Sequence, residues 1–545
     1  MMKKTSLPTL VCILITASAG PATSSLERST IDATSAPHLT TTLSTTRPES
    51  QKLLPTNGRR DDDFGWAVAL DGNHAVLGAP CHDYPGFDAG IAYVFTRTDT
   101  TWSEHEWLLA SDGSAYDLFG YAVAIDGNTA IIGAPGNAQA AYVFVRSPSG
   151  LWSQQAKLRA SDGAYQATFA TSVAIEGNSA LIGKYGDEIN GNVGAGSAYV
   201  FIRTGSTWRQ QQQLIAPDGA ADDHFGFSVS LSRDTAFIGA TGDNDYAGSV
   251  YVFTRMGATW LLRQKLMADS TCAVRFGRSV SLDRGTALIS AHRDHPNANT
   301  YGTVYVFTRT AAGWKQQATL VASDGEAGQY FGMSVSLSGD TALIGAEYDD
   351  DNGIDAGAAY LFTRMGTTWT QRAKLLTSDG AAGDLCGFAV ALDGDIGLVG
   401  AYHDDDQGVD SGSAYVFRSE SERTDGATHP VTATLSGGEN EESEMGCAGP
   451  VLSIHPNPFS AKAWISLFGS TAGRSARVAV FDIDSRLIRD LTPTVFWGSG
   501  AGEDGFARVS WDGLDSSGRP APSGIYFVRV SDGKDAVIRH FIRLR

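Results

Sequence analysis

The chain has few cysteines and no long apolar segment beyond its N-terminal leader. Of the five cysteines, Cys12 lies in the leader, and the other four are scattered at Cys81, Cys272, Cys386 and Cys447. That number and spacing exclude a disulfide scaffold and a zinc site of the Cys-x-x-Cys type. No later segment is apolar for long enough to cross a membrane as a helix. We therefore expect no transmembrane segment in the mature chain.

Basic residues are scarce as well. The chain has 41 Lys and Arg against 60 Asp and Glu, a net charge of -19 that becomes -21 when Lys3 and Lys4 leave with the leader. So acidic a chain is a poor ligand for nucleic acid or for anionic membrane surfaces. The charge favours cations or basic partners.

Motifs of enzyme chemistry are also missing. The sequence contains no Gly-x-Ser-x-Gly, His-Glu-x-x-His or phosphate-binding loop, and no Cys–His pairing stands out. The histidines are single and differ between repeats: His82, His105, His292, His295 and His403. We predict no catalytic and no cofactor-binding residues.

The two ends of the chain and one internal stretch differ in composition from the rest. Residues 1–19 resemble a signal peptide, with Lys3 and Lys4, an apolar run and a small-residue cleavage site. Residues 20–50 are rich in Ser and Thr and predict a disordered spacer, and residues 419–450 predict an acidic Gly/Ser-rich linker. We expect an exported protein, secreted or held at the cell surface.

Between these segments one sequence pattern recurs seven times. An aromatic residue followed by glycine opens each unit, and the openings recur every 50 to 56 residues: Phe64, Phe119, Phe169, Phe225, Phe276, Phe331 and Cys386. A Tyr-Val-Phe-like run closes each unit, starting at Tyr93, Tyr142, Tyr199, Tyr251, Tyr305, Tyr360 and Tyr415. A period of this length is typical of propellers and arrays.

Each unit predicts four short antiparallel strands, A to D, separated by Gly/Asn/Asp turns. Seven such units predict an all-β protein, a seven-bladed β-propeller over residues 51–418. The seventh unit lacks strand D, but Lys52-Leu53-Leu54 matches the strand D segment Lys374-Leu375-Leu376. We therefore expect the N-terminal strand to complete the last blade and close the ring.

The Phe-Gly openings, paired with Gly78-Ala79-Pro80 and Gly133-Ala134-Pro135, resemble the FG-GAP repeat of integrin α-subunit heads and of secreted bacterial relatives. Ala170, Lys184, Ser290 and Cys386 depart from the pattern. The repeat's calcium loop between the two motifs is replaced here by tight turns such as Asp71-Gly72-Asn73. Those calcium sites are therefore not carried over.

Residues 451–545 form a second unit that begins near His455-Pro456-Asn457-Pro458-Phe459 and contains Trp511-Asp512-Gly513. It resembles the Ig-like domain of flagellar hook-capping proteins and the sorting domain of type IX secretion. The resemblance implies a small Ig-like β-sandwich that serves secretion or attachment to the cell envelope. The two families are too similar here to separate.

The loops between strands B and C in the last two units are dense in aspartate. Their alternating carboxylates predict a weak calcium site, with the candidate ligands Asp349, Asp351, Asp355, Asp404, Asp406 and Asp410. The alternative is that these are solvated turns whose carboxylates stay apart.

A four-stranded meander places the B–C loops and the D–A connections on one face and the C–D hairpins on the other. This predicts one acidic face and one face ringed by Arg97, Arg146, Arg203, Arg255, Arg309, Arg364 and Arg418, which either bind a partner or cap turns. The Trp at the head of each strand D suggests sugar stacking or, more simply, core packing. Cys81 and Cys386 would be close enough in a closed ring to form a disulfide.

These features predict a binding or adhesion protein whose propeller loops recognise an extracellular protein or glycan. Two alternatives remain, namely an extracellular hydrolase acting on polysaccharide and a structural surface-layer component. A single acid or histidine in the central funnel that the other repeats lack would favour the enzyme.

Overall fold

The structure is a computed structural model that describes residues 45–163, 168–268, 274–292, 302–325 and 328–418, and parts of 451–543. The predicted signal peptide (1–19), the predicted spacer up to residue 44 and the predicted linker (419–450) lie outside the described residues. Within the described part of the chain, every regular element is a β-strand.

Two short strands, β1 (Thr45–Arg47) and β2 (Gln51–Leu53), precede seven units of three or four strands. In chain order the units contain these strands: β3 (Ala67–Asp71), β4 (His74–Ala79), β5 (Ile91–Thr98), β6 (Thr101–Leu108); β7 (Ala122–Asp126), β8 (Thr129–Ala134), β9 (Ala140–Arg146), β10 (Trp152–Leu158); β11 (Phe169–Glu176), β12 (Ser179–Lys184), β13 (Ser197–Thr204), β14 (Thr207–Leu214); β15 (Phe225–Ser232), β16 (Thr235–Ala240), β17 (Ser249–Met256), β18 (Thr259–Leu266); β19 (Phe276–Asp283), β20 (Thr286–Ala291), β21 (Thr303–Thr310), β22 (Gly313–Leu320); β23 (Val335–Ser338), β24 (Thr341–Ala346), β25 (Ala358–Met365), β26 (Thr368–Leu375); β27 (Ala389–Asp393), β28 (Ile396–Ala401), β29 (Ser413–Arg418).

Each unit is one antiparallel sheet, or blade, in which strands A to D follow one another in space. Strand B, as in β24, is apolar and buried after its first residue, because neighbouring blades cover both of its faces. Strand D, as in β14, alternates between exposed and buried positions because it lies at the outer edge. The repeat pattern therefore follows from the position of each strand in the ring.

The ring is closed by the N-terminal strand, as predicted. Strand β2 pairs antiparallel with β29 and supplies strand D of blade 7. The side chain of Gln51 then accepts a hydrogen bond from the Trp102 amide of blade 1 at 2.8 Å and donates one to its carbonyl at 2.7 Å. Gln212 holds Trp260 in the same way at an internal junction. The closing junction is thus built like a continuous one.

The propeller begins before residue 51. Thr45–Arg47, which the sequence placed in the spacer, forms β1 and pairs in parallel with β26 as a fifth strand of blade 6. The composition of these residues is that of the spacer around them. The segment forms a strand because the outer edge of β26 is available for pairing, and its own sequence does not indicate this.

The core of each blade is an aromatic cluster at the opening motif. In six blades the Phe of the opening packs edge-on against the Tyr of strand C, with ring centroids 5.2 to 5.6 Å apart. The Trp residues at the head of strand D are buried in five blades, at positions 102, 152, 208, 260 and 314. Core packing therefore accounts for them.

Glycine in the Gly-Ala motif is required by contact between blades. A Cβ on Gly78 would lie 1.9 Å from the carbonyl oxygen of Gly120, and one on Gly400 would lie 2.0 Å from that of Gly65. No side chain fits at such distances. The Gly of the Gly-Ala motif therefore packs directly on the backbone of the next blade's opening motif.

Residues 451–543 contain two further antiparallel sheets. One consists of β30 (Val451–His455), β31 (Ala463–Phe468), β35 (Phe506–Trp511) and β34 (Phe496–Gly498). The other consists of β33 (Leu487–Asp490), β32 (Arg477–Asp482), β36 (Gly524–Ser531) and β37 (Ala536–Arg543). Trp511 of the first sheet contacts Tyr526 of the second, with ring centroids 5.1 Å apart. The predicted Ig-like sandwich stays a prediction.

Removal of the closing strand should open the ring. A chain that begins at Leu54 loses β1 and β2, including buried Leu53 and the Gln51 hydrogen bonds, and should be roughly 4–6 kcal/mol less stable than a chain that begins at Leu43. Denaturant unfolding of both chains measures the difference. Equal midpoints would contradict the role given to β2.

Candidate functional site

The B–C loops and D–A connections emerge on one face of the ring, here called the loop face. Their aspartates converge on buried lysines. In blade 6 the Lys374 Nζ lies 3.0 Å from Asp324, 2.7 Å from Asp349 and 2.6 Å from Asp351. The Tyr360 hydroxyl donates to Asp349 at 2.8 Å. Burial lowers the pKa of Lys374, but the three carboxylates outweigh it and hold that pKa above its ordinary value.

The same cluster occurs in blade 7, where the lysine comes from the closing strand. The Lys52 Nζ lies 2.8 Å from Asp379, 2.8 Å from Asp404 and 2.7 Å from Asp406. The Tyr415 hydroxyl is within hydrogen-bond distance of both Asp379 and Asp404. Ring closure therefore supplies the charge that these loops require.

Other blades carry altered versions of the cluster. In blade 3 the lysine has moved to strand B, where Lys184 contacts Asp162 at 2.9 Å and Asp187 at 3.0 Å. Gln213 takes the place of the strand D lysine and donates to the Tyr199 hydroxyl at 2.9 Å. Lys184 is the residue that departs from the Gly-Ala motif, and it keeps a lysine in the cluster.

In blade 1 both the lysine and the aspartates of the cluster are replaced. Asn57 and His82 stand where other blades have aspartate, and the exposed Trp107 stands where they have lysine. The Tyr93 hydroxyl donates to the Asn57 side chain at 2.8 Å, and Asn57 contacts the His82 ring at 3.3 Å. A neutral cluster thus replaces the charged one.

The predicted calcium ligands are divided by this arrangement. Asp349 and Asp351 meet on Lys374, and Asp404 and Asp406 meet on Lys52. The backbone amides of Asp355 and Asp410 instead donate to the side chains of Asp350 and Asp405, which fold the loops. Among the described residues no group of three or more His, Cys, Asp or Glu side chains has the arrangement of a metal site. The calcium site stays a prediction.

The opposite face, called the hairpin face, holds the predicted arginines. Arg97, Arg203, Arg255 and Arg364 each bind an Asn or Asp in the A–B turn of their own blade and lie over its Trp ring, 5.2 to 5.8 Å from the centroid. Turn capping, the simpler of the two interpretations, describes these four.

Functional side chains that sequence reasoning missed lie at the ring axis. Strand A is the innermost strand, so the residue that follows each opening motif lies around the axis at the loop face. These seven residues, here called the axial ring, are Trp66, Tyr121, Thr171, Phe227, Arg278, Met333 and Phe388. The residues after the Gly-Ala position lie next to them: Pro80, Pro135, Tyr185, Thr241, His292, Glu347 and Tyr402. Both positions vary among the repeats, whereas the residues next to them recur. This variation could have indicated the axial residues from the sequence.

One side of the axis is aromatic. The Trp66 ring lies 5.3 Å from Tyr121, 4.8 Å from Phe388 and 4.9 Å from Tyr402, measured between centroids. All four side chains are half-buried. Blades 7, 1 and 2 therefore present a continuous aromatic surface. We call these four residues the aromatic wall.

The other side carries titratable groups. Arg278 stacks on Phe227, with the guanidinium carbon 5.0 Å from the ring centroid. His292 is 4% exposed, and burial, followed by Arg278 and Arg275, holds its pKa well below the ordinary value. Glu347 is 3% exposed, and burial raises its pKa to about 7 despite the opposing effect of Arg278. No other blade has His or Glu at this position.

The two cysteines that the sequence suggested as partners are free thiols. Cys386 is buried in the core of blade 7, at the position that Phe occupies in the other blades. Cys81 instead bonds Asp63. The suggested disulfide is therefore not formed. Cys272 and Cys447 lie outside the described residues.

Seven four-stranded blades in a closed ring define the chain as a seven-bladed β-propeller protein. The FG-GAP repeat model matches all seven blades, at residues 48–95, 102–144, 152–201, 208–253, 260–307, 314–362 and 369–417. The chain belongs to the FG-GAP repeat family.

Comparison with curated proteins finds no match. Among solved structures, a Bacteroides uniformis protein provisionally assigned as a 6-phosphogluconolactonase is 11% identical, with a TM-score of 0.42 over 60% of this chain and 88% of that chain. A Xanthomonas campestris xyloglucanase is 13% identical, with a TM-score of 0.35 over 62% and 51%. PorZ, a surface component of the type IX secretion system of Porphyromonas gingivalis, is 13% identical, with a TM-score of 0.21 over 88% and 70%.

Within the residues that the structure describes, no helix is both long and apolar enough to cross a membrane.

Loss of Lys374 should be costly because it leaves Asp349 charged and buried. Lys374→Met should destabilise the protein by about 3–5 kcal/mol. The matched control is Lys157→Met, since its partner Asp112 is 54% exposed and the expected loss is below about 1 kcal/mol. Denaturant unfolding measures both variants, and equal losses would contradict the burial argument.

Glu347 should make stability fall with rising pH. Its pKa is about 7 in the folded protein and about 4.5 in the unfolded chain, so the native state binds the extra proton and loses this advantage as pH rises through that window. Glu347→Gln should therefore gain roughly 2–4 kcal/mol relative to wild type between pH 4.5 and pH 7.5. Unfolding across pH measures the difference, with exposed Glu188→Gln as control. A difference in unfolding free energy between Glu347→Gln and wild type that stays constant across pH would refute the raised pKa of Glu347.

Proposed function

We propose that this protein is an exported binding protein that recognises an extracellular glycan or protein at the loop face, centred on the ring axis. The observation that carries the proposal is the axial ring. Seven blades share one backbone and one core, yet the axial ring has six residue types over its seven positions, and the axis includes a wall of four contacting aromatic rings. A rigid scaffold with variable side chains at one point is the usual form of a recognition site.

The remainder of the loop face is poorly suited to strong binding. Its aspartates in blades 4, 6 and 7 already form ion pairs with Lys265, Lys374 and Lys52. A basic partner would have to compete with these internal ion pairs. The axis is therefore the better candidate.

Binding of the full chain to immobilised extracellular glycans and proteins tests the proposal. Trp66→Ala and Phe388→Leu should each weaken binding by about fivefold or more, because truncating a central aromatic anchor typically costs about 1 kcal/mol or more. Trp107→Ala is the matched control, since Trp107 is 44% exposed but lies on strand D, away from the axis. Circular dichroism checks the fold of each variant. Binding that survives both axial changes would overturn the proposal.

An extracellular hydrolase acting on polysaccharide is the second candidate. The specific observation in its favour is that Glu347 and His292 are buried at the axis and occur in one blade each. A carboxyl with a pKa of about 7 can act as a general acid near neutral pH. Glu347→Gln should then abolish release of reducing ends from polysaccharide, and wild-type protein that releases none would exclude this candidate.

For residues 451–545 we propose an Ig-like sandwich that serves secretion or attachment to the envelope. The contact between Trp511 and Tyr526 joins the two sheets, and the Tyr526 hydroxyl donates to the Pro522 carbonyl at 2.6 Å, as in the tyrosine corner of Ig-like domains. A chain that ends at residue 450 should still bind its ligand but lose secretion or surface retention, which cell fractionation measures. Unchanged fractionation would refute the role.

A further inference from the structure

The centre of the loop face contains arginine. Two arginines lie on the side of the axis opposite the aromatic wall, Arg275 directly before the Phe276 opening and Arg278 two residues after it. Farther out, the acids of blades 3, 4, 6 and 7 are paired with buried or half-buried lysines. Glu347, the acid next to Arg278 at the axis, is largely protonated below neutral pH. An arginine at this position can bind an anionic group at the axis.

Arg278 is placed to reach a ligand there. Its guanidinium lies on the Phe227 ring, and one of its nitrogens is 3.3 Å from the Met333 sulfur, so residues of both neighbouring blades hold it. It occupies the axial position of strand A in blade 5, as Tyr121 does in blade 2. Arg278 therefore borders the same axis as the aromatic wall.

His292 provides a second donor. It is 4% exposed, and its Nδ1 has no hydrogen-bond partner among the described residues. Its ring lies edge-on to Tyr330, with centroids 5.4 Å apart. A buried polar atom without a partner is unfavourable, and the imidazole tautomer with its proton on Nδ1 would donate a hydrogen bond from this nitrogen to an anion at the axis.

The aromatic wall completes the site. Tyr121 contacts Trp66 at 5.3 Å, and both residues belong to the axial ring with Arg278, so the wall and the guanidinium lie around the same axis. Aromatic faces pack against the apolar face of a pyranose ring, whereas a guanidinium recognises a carboxylate.

We propose that the ring axis binds an acidic glycan, with a uronate carboxylate held by Arg278 and His292 and the sugar ring packed against Trp66. This inference rests on the proposed binding function and names its ligand class. A glycan is favoured over an acidic peptide because the three rings around Trp66 form a broad apolar surface beside the cation.

Calorimetry of the full chain with oligogalacturonate, and with a neutral galactan oligomer of the same length, tests the proposal. The acidic oligomer should bind more tightly, and added salt should weaken its binding. Arg278→Met should reduce its affinity by about tenfold or more, as expected for the loss of a charge-assisted hydrogen bond. Arg278→Lys, which keeps the charge, should lose less, and this variant remains informative if the methionine variant folds poorly. Arg372→Met is the control, since Arg372 is exposed and bonds Thr363 within its own blade.

Three results would overturn the inference: equal affinity for the two oligomers, acidic binding that Arg278→Met leaves unchanged, or displacement of the oligomer by a poly-aspartate peptide of higher affinity. Neutral glycan binding that depends on Trp66 would overturn only the acidic class and leave the proposed function intact. If neither oligomer binds, and none of the immobilised glycans and proteins binds either, both the acidic-glycan inference and the proposed binding function are overturned.

Discussion

The architecture depends on direct backbone contact between neighbouring blades. In six of the seven blades the Gly of the Gly-Ala position lies against the carbonyl of the next opening motif, at distances that exclude a side chain, and blade 5 has Ser290 there. On the hairpin face, the last residue of each strand A also accepts a hydrogen bond from the A–B turn amide of the following blade, and Asp393 completes the circle by accepting from Gly72. A ring that repeats one junction seven times tolerates little variation there, and its variation is left to the loops and the axis.

The lysine clusters show how such a ring accommodates charge. A carboxylate as buried as Asp349 requires a cation, and the repeat supplies one from strand D, from strand B as Lys184, or from the closing strand as Lys52. Where blade 1 loses the lysine it loses the acids as well, through Asn57 and His82. The substitutions are therefore coupled, because an unpaired charge at this depth would destabilise the blade.

Much of the fold could be predicted because it is local and repeated. The spacing of Phe-Gly and Tyr-Val-Phe indicated four strands per blade, and Lys52-Leu53-Leu54 indicated the closing strand. Strand β1 could not be predicted, since Thr45–Arg47 has the composition of its spacer and only the free edge of β26 pairs it. The candidate site was missed for a related reason. Trp66, Arg278 and Glu347 are far apart in the chain, and only the ring brings their positions to one axis.

By itself the sequence determined the number of blades, the order of their strands, the closure of the ring and the acidic character of the loops, because each depends on a short motif or on composition. The tertiary structure decided which charges neutralise one another and which side chains meet at the axis. Both depend on distances between blades, and a sequence period does not contain those distances. Aspartates that resemble metal ligands in the sequence therefore surround lysines in the fold, while isolated residues of different blades form the candidate site.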